Sequence, residues 1–324
     1  MMKWRNASVA RWSNIPAQNH KLMNINGVFI EDTFAEAFPM RATRIIITGI
    51  NYKWARHAAE TMTGFATSVI GCKVEAGIER ELGNHETPDG RPGIAVLLFA
   101  TDRKTLEAQL QARIGQCVLT CPTTAVFAGL EGEGQIALGK NLRYFGDGYQ
   151  TSKQVDDHRY WRIPVMDGEF LCEETTGYQT AIGGGNLLVF ARSLSQVLLA
   201  CEAAIDAMSM LPNIILPFPG GGVRSGSKVG SKYKTLSAST NHPYCPTLKG
   251  LPDNVLDKNV EAVMEIVIDG LSVEDLNLAM RRGIEAICDL GKAQGIEKIT
   301  GGNYGGKLGP HHFYLREIMD GDQI

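Results

Sequence analysis

Glu265 is the acid at the centre of residues 260–270, a largely apolar stretch. The alternation of its side chains predicts a β-strand. Successive residues of a strand face opposite sides, so Glu261 and Asp269 would share its face. The carboxyl group can therefore face water with those two acids. Alternatively, it can lie in a partly dry site, where a protonated carboxyl group can donate a hydrogen bond to a reacting oxygen. The alternation alone leaves both interpretations open.

Residues 218–241 form a basic segment rich in glycine and serine that carries Arg224, Lys228, Lys232 and Lys234 and no acid. Glycine lets a backbone approach a ligand closely, and lysine with hydroxyl and amide groups suits a phosphate or carboxylate. The spacing does not match the Gly-Lys-Ser/Thr phosphate loop. A solvated flexible loop is the alternative. Long irregular segments inside compact chains are, however, more often functional or disordered than neutral.

Three shorter glycine-rich pieces, residues 145–150, 183–186 and 301–307, each predict a turn when taken singly. None has the GxGxxG spacing between a strand and a helix, so the pattern disfavours a Rossmann nucleotide site. His242, beside the basic segment, is the one histidine that merits a test. No serine or cysteine lies in a recognisable nucleophile setting.

Composition limits the class of protein. The chain has 324 residues, a net charge of −3, 44% hydrophobic and 21% charged residues, typical of a soluble globular protein and not of a nucleic-acid binder. The longest purely apolar run, residues 94–100, is far shorter than a membrane span. The seven cysteines include no CxxC pair or zinc spacing, and their odd number suits a reducing compartment such as the cytoplasm. A metal site is not expected.

The first 22 residues carry four basic residues and no acid. They contain no apolar core of a secretory signal. We expect residues 1–22 to be a disordered basic extension, or to precede a true start at Met23. A transit peptide is the less favoured alternative.

The remaining chain shows one order of elements twice. The first half predicts an Asn-Gly turn between strands in residues 24–33, a strand at 44–48, a strand at 94–100, a helix capped by Asp102, and a closing strand around 118–120. Its two helices have apolar stripes at Trp54, Ala58, Met62 and Phe65, and at Leu106, Leu110, Ile114 and Cys117.

The second half predicts strands at 187–191 and 262–268 and a helix that begins with a capping box at Ser272 and Asp275. Its helical stripes are Leu198, Cys201, Ile205 and Met208, and Leu276, Met280, Ile284 and Ile287. Each half reads β-α-β-β-α-β, which predicts an α+β fold of two duplicated ferredoxin-like lobes. We place the N-terminal lobe at residues 23–150 and the C-terminal lobe, which carries the basic segment, at residues 151–324.

Aligning the two halves bears on Glu265. The alignment places it opposite Val96, on a face with Ile94 and Leu98, so both faces of the first-half strand are apolar and should be covered. If the halves share their architecture, Glu265 is partly covered as well.

Taken together, the motifs resemble the formylmethanofuran–tetrahydromethanopterin formyltransferase family over residues 24–308. The resemblance rests on INGVFIEDTFAEAF (25–38), TPDGRPG (87–93), RIGQCV (113–118), FGDGYQ (145–150), FPGG (218–221), SGSKVGSK (225–232), ASTN (238–241), YCPT (244–247), EIVIDGL (265–271) and GGKLG (305–309). The extension at 1–22 and the last six residues depart from the pattern without touching a motif.

The resemblance implies an enzyme that passes a formyl group between the amine of methanofuran and N5 of tetrahydromethanopterin, two carrier coenzymes, with no bound cofactor or metal. It implies that Glu265 is the catalytic group. It also implies a homo-oligomer (dimer or tetramer) and, in methylotrophs, a formyl-hydrolysing partner complex. A non-catalytic scaffold subunit of a larger complex is the alternative function. We expect the substrate-binding residues to come from the glycine-rich and basic motifs, namely Tyr149, Asn186, Gly221, Gly222, Ser227, Lys228, Lys232 and Asn241.

Overall fold

The computed structural model describes residues 23–321, so the expectation for residues 1–22 lies outside it. The strands are β1 (Met23–Ile25), β2 (Val28–Ile30), β3 (Phe34–Thr48), β4 (Glu75–Leu82), β5 (Gly93–Ala100), β6 (Ala125–Ala128), β7 (Gly134–Ala137), β8 (Thr151–Val155), β9 (His158–Val165), β10 (Gly168–Glu173), β11 (Thr175–Ala191), β12 (Ile214–Ile215), β13 (Gly222–Val223), β14 (Lys228–Val229), β15 (Ala238–Ser239), β16 (Ala262–Gly270), β17 (Ile296–Gly301) and β18 (His311–Tyr314). The α-helices are α1 (Tyr52–Thr63), α2 (Val69–Cys72), α3 (Arg103–Arg113), α4 (Gly139–Leu142), α5 (Leu194–Ser209), α6 (Val273–Leu290) and α7 (Leu315–Asp320).

Two long strands, β3 and β11, form the middle of one large sheet. They pair antiparallel where residues 38–42 meet residues 179–183. Beyond that crossing, β3 pairs with β5 and β6, and β5 pairs with β4. In the same way β11 pairs with β16 and β17, and β16 pairs with β12. The strand orders are therefore β4-β5-β3-β6 and β12-β16-β11-β17. The chain has a mixed α/β fold on a mixed sheet, since β2–β17 and β6–β10 are parallel.

The helices cover one face of each set of strands. Helices α1 and α3 bury apolar side chains against β3 and β5, and α5 and α6 bury theirs against β11 and β16. The predicted caps are present, because Asp102 accepts from Thr105 N and Ser272 accepts from Asp275 N. The Asn-Gly turn between β1 and β2 is also confirmed.

Three sequence-based predictions about the ends and faces of helices and strands were wrong. Phe65 lies beyond the C-terminal end of α1 and is 81% exposed, because the helix ends at Thr63. Leu198 is exposed on the outer face of α5. Residues 114–118 continue α3 as a π-helical turn, so the closing strand is Ala125–Ala128 and not residues 118–120.

The alignment of Glu265 with Val96 was shifted by one residue. Val96 faces the helices of the first half, whereas in the second half the helix-facing residues of β16 are Ile266 and Ile268. Glu265 lies on the opposite face. A one-residue shift in a strand exchanges its two faces, so the matching residue of the second half lies on the opposite face from Glu265. Every residue of β5 is nevertheless buried, and Glu265 is itself partly covered, as the alignment predicted.

Within residues 23–321, no helix is long and apolar enough to cross a membrane. The same residues include no group of three or more histidine, cysteine, aspartate or glutamate side chains arranged to hold a metal ion.

Candidate active site

Glu265 lies in the middle of β16, on the sheet face turned away from α5 and α6. Its backbone neighbours are Leu188 on β11 and Val223 on the short strand β13. Residues 218–260 cross this face, and Tyr244, Leu256 and Val260 pack there against a sheet surface made of Leu188, Phe190 and Val263. Gly226 and Asn241 of the basic segment line the same cleft as Glu265, so that segment also contributes to the cover and the acid does not lie on a wet face.

A cleft of about 90 Å³ opens beside Glu265 between β16 and this cover. Arg224, Asn241 and Tyr244 contribute to its walls. The enclosed part of the cleft accommodates a group of a few non-hydrogen atoms. The cleft can therefore hold the reacting carbon while the bulk of any ligand lies outside it.

The Glu265 carboxyl group has one hydrogen-bond donor among residues 23–321. Asn186 Nδ2 donates to Glu265 Oε1 at 2.5 Å, and Asn186 Oδ1 accepts from Gly302 N at 2.8 Å. Burial raises the pKa of Glu265, and the hydrogen bond from Asn186 offsets part of that rise. The acid is thus shifted towards the protonated form, which is the form that can donate a hydrogen bond.

The glycine-rich loop 301–309 approaches the same site, and the side chain of Glu36 on β3 accepts hydrogen bonds from its backbone. Glu36 is fully buried and accepts four backbone hydrogen bonds, from Tyr304, Gly306, Leu308 and Gly309. Burial disfavours the charge of Glu36, but these four N–H groups together hold its pKa below the usual range. The loop brings Tyr304 close enough to Glu265 and Glu36 that their charges, after burial, contribute to raising the pKa of Tyr304 to about 12.

The lysines of the basic segment occupy different settings. Lys228 Nζ lies 2.9 Å from His242 Nδ1, and His242 Nε2 contacts Asp253. Lys228 donates, so the imidazole proton lies on Nε2 and is donated to Asp253. The hydrogen bond with His242 lowers the pKa of Asp253. Lys232 is exposed in the turn between β14 and β15.

The other predicted binding residues are divided between the cleft and its surroundings. Gly222 pairs with Ile266, next to Glu265. Gly221 is buried against Ile205 of α5, and its φ of +80° favours glycine. Asn241 lines the cleft, and its buried Oδ1 has no hydrogen-bond partner among residues 23–321. Ser227 is exposed beside the cleft-lining Gly226.

Tyr149 lies far from the cleft in this chain. It is 80% exposed and lies two residues before β8, the last strand on one edge of the sheet. Glu265 is on β16, which pairs with β11 near the other end of that path. Its predicted role as a substrate-binding residue of this site stays a prediction.

Sequence reasoning missed Glu36, Gly302 and Tyr304. Glu36 lies within the strand Phe34–Thr48, so the argument from a lone acid in an apolar strand would have found it. Tyr304 and Gly302 belong to the glycine-rich piece that was interpreted as a turn. Nothing local in the sequence connects that piece to Asn186.

Two family models match the chain. The one for formylmethanofuran–tetrahydromethanopterin formyltransferase matches residues 23–165, and one for the proximal lobe of the same family matches residues 168–318. The chain is 68% identical over 298 residues to the formylmethanofuran–tetrahydromethanopterin formyltransferase of Methylococcus capsulatus, covering 92% of this chain and 100% of that protein.

Two solved structures are similar over nearly the whole chain. The formyltransferase/hydrolase complex of Methylorubrum extorquens with methylofuran contains a chain that is 51% identical, with a TM-score of 0.90 and coverage of 92% of this chain and 99% of that one. The formyltransferase of Methanosarcina barkeri is 48% identical, with a TM-score of 0.86 and coverage of 91% and 100%.

Proposed function

This chain belongs to the formylmethanofuran–tetrahydromethanopterin formyltransferase family, and we propose on that premise that it moves a formyl group between the methanofuran amine and N5 of tetrahydromethanopterin. The observation that carries the mechanism is the half-buried Glu265, with its raised pKa, at the wall of a cleft of formyl size. Both coenzymes bind as substrates, and we propose no resident metal or cofactor.

The reaction we propose is a direct transfer in a ternary complex. The lone pair of N5 attacks the formyl carbon, and the carbonyl electrons move to oxygen, which forms a tetrahedral intermediate. The bond to the methanofuran nitrogen then breaks, N5 loses its proton, and the methanofuran amine gains one. Alignment of two bound reactants removes much of the entropic barrier without a covalent enzyme intermediate. Protonated Glu265 donates a hydrogen bond to the oxygen while its charge develops.

The basic segment would bind the anionic parts of the coenzymes. Methanofuran carries carboxylates and tetrahydromethanopterin a phosphate, and Arg224 lines the cleft with Lys228 on the same segment. Among the predicted binding residues, Asn241 lines the cleft, and Gly222 lies beside it on β13.

We also propose that the two halves are duplicated ferredoxin-like lobes. The matching orders β4-β5-β3-β6 and β12-β16-β11-β17, each with two helices on one face, support this interpretation. The lobe boundary at residue 150 and cytoplasmic localisation stay predictions; limited proteolysis and cell fractionation, respectively, would test them.

We propose that the chain works as a homo-oligomer and can join formyl-hydrolysing subunits. A similar chain is part of a formyltransferase/hydrolase complex in Methylorubrum extorquens, which supports the second statement. Sedimentation of the purified chain, alone and mixed with such subunits, measures both.

The proposed function is tested by measuring the rate of formyl transfer with the purified chain. The absorbance of formylated tetrahydromethanopterin reports the progress of the reaction. We expect Glu265→Ala to lower kcat about 100- to 1000-fold, as loss of one donor to an oxyanion does elsewhere. Glu265→Gln keeps a donor but cannot titrate, so it should retain more activity and lose the alkaline limb of the pH profile. Both variants should unfold at denaturant concentrations close to the parent.

Equal kcat in the Ala and Gln proteins would exclude Glu265 as the hydrogen-bond donor. A folded chain that is inactive alone but active with hydrolase subunits would show that the site is completed in a complex. Inactivity in both settings would favour the scaffold alternative.

A further inference from the structure

Asn186 lies between the catalytic acid and the glycine-rich loop 301–309. Its side chain is almost fully buried, with 6% of the residue exposed, and both ends of its amide are engaged. The amide donates to Glu265 Oε1 and accepts from Gly302 N. Each polar atom of the amide is therefore held by a protein group, which fixes the orientation of the side chain.

The neighbours of Asn186 determine the direction of its amide. Gly302 N–H can only donate, so the amide atom that faces it must be the oxygen, and the nitrogen must then face Glu265. The reverse orientation would oppose two donors at Gly302 and leave Glu265 without a donor. The backbone of the loop therefore fixes the donor that Glu265 receives.

We propose that Asn186 is a positioning residue that commits Glu265 Oε1 to accepting and so leaves Oε2 as the oxygen that donates to the substrate. This inference rests on the proposed function of Glu265. A protonated carboxyl group has one O–H and one carbonyl oxygen, and the donor from Asn186 selects the carbonyl role for Oε1. Without that donor, the proton can occupy either oxygen and the side chain can rotate.

The loop is built to hold this geometry. A Cβ at Gly302 would overlap both polar atoms of the Asn186 amide, with Oδ1 only 2.7 Å away, so only glycine admits the amide. The four backbone hydrogen bonds to Glu36 fix the loop beyond Gly302, from Tyr304 to Gly309. The positioning thus continues from Glu36 through the loop to Asn186 and Glu265.

The other titratable and charged groups around Glu265 come from the loop and the cover. Tyr304 approaches from loop 301–309, and Arg224, Tyr244 and Cys245 line the same cleft. The hydrogen bonds of the Asn186 side chain go to Glu265 and Gly302 and to none of these groups, so we expect a change in the pH profile of an Asn186 variant to report on the lost hydrogen bond to Glu265.

The first test is Asn186→Leu, which keeps the volume and dryness of the site but removes the donor. We expect kcat to fall about 100-fold, the usual cost of misplacing a reacting group by about 1 Å. KM should change little. The hydrogen bond from Asn186 lowers the pKa of Glu265, so its loss should raise that pKa and shift the alkaline limb of kcat/KM to higher pH.

The second test, Gly302→Ala, displaces the same amide from its other side without altering Asn186 or Glu265. It should show the same loss of kcat and the same direction of shift in the alkaline limb. Gly71→Ala is the matched control, because a Cβ at Gly71 has nothing within 4 Å and should leave kcat and the pH profile unchanged.

The double variant Glu265→Ala/Asn186→Leu decides between positioning and an independent role. If Asn186 acts through Glu265, the double variant should be no slower than Glu265→Ala alone. If the fold losses of kcat in the two single variants multiply in the double variant, the inference is overturned. A raised KM with an unchanged alkaline limb in Asn186→Leu would also overturn it. Either result would make Asn186 a substrate contact. Those results would leave the proposed role of Glu265 unaffected. By contrast, a Glu265→Ala variant with the kcat of the parent would refute the proposed mechanism itself.

Discussion

Lys228 and Lys232 are close in sequence, but the structure gives them different capacities to bind an anion. Lys228 is half-buried and hydrogen-bonded to His242, which itself contacts Asp253, whereas Lys232 is exposed in a turn. A cation that is already held loses less conformational entropy on binding than a free one.

We therefore expect Lys228→Ala to raise the KM for one coenzyme about tenfold, as loss of one hydrogen bond to a charged group would, with a smaller rise for Lys232→Ala. Both increases should shrink as salt is added, because salt screens surface charges. Steady-state kinetics with each coenzyme varied in turn would measure this. A fall in kcat with unchanged KM values would speak against a binding role.

At the scale of elements, loop 301–309 depends on one buried side chain of β3. Four N–H groups of the loop donate to the Glu36 carboxylate. Hydrogen bonds to a charged acceptor are stronger than neutral ones, and removing the charge leaves buried donors poorly satisfied. The order of the loop, and through it the site, thus follows from one ionised acid.

Glu36→Gln should lower the free energy of unfolding at neutral pH by about 3 kcal/mol, because an NH₂ group would face N–H donors. The pKa of Glu36 is lowered in the folded state, so its contribution is present above the unfolded-state pKa and is lost as pH falls through the folded-state pKa. The difference between parent and variant should therefore narrow in acid.

Urea unfolding of the parent and Glu36→Gln at neutral and acidic pH measures that difference. Glu202→Gln is the control, since Glu202 is exposed on α5 and should show a small effect at both pH values. A Glu36→Gln protein as stable as the parent at neutral pH would contradict the role of the charge.

At the scale of the whole molecule, the two halves meet along β3–β11 and through a buried carboxyl pair. Glu75 on β4 belongs to the first half and Asp269 on β16 to the second, and their side chains hydrogen-bond to each other. Glu75 accepts from Val69 N and Asp269 Oδ1 from Gly184 N, each at 2.9 Å. Asp269 Oδ2 is buried without a donor among residues 23–321, so we expect a proton shared between Asp269 and Glu75 to satisfy it.

Burial, and then the charge of Glu75, raises the pKa of Asp269 well above its usual range. A raised folded-state pKa means that the pair contributes most stability at low pH and loses it as pH rises through the folded-state value. Asp269→Asn supplies a permanent donor to Glu75 and an acceptor for Gly184. We therefore expect this variant to lose less stability than the parent between neutral and alkaline pH.

Denaturant midpoints measured across that range would test the carboxyl pair. Asp206→Asn, at an exposed position of α5, provides the control and should follow the parent. Parallel pH dependences for the parent and Asp269→Asn would exclude a proton shared between the halves.

The sequence by itself determined what local chemistry and periodicity can carry: the capped helices, the strand around Glu265, the repeated order of elements and the family motifs. It also made Glu265 the candidate catalytic residue, through the alignment of the two halves and the family resemblance. Only the tertiary structure decided which face Glu265 occupies, since a one-residue shift in alignment exchanges faces. Only the tertiary structure showed that Asn186, Gly302 and Glu36 belong to the surroundings of Glu265. It also showed that Glu75 lies against Asp269. These contacts connect residues far apart in the chain, and their geometry depends on strand register and packing, which no local pattern encodes.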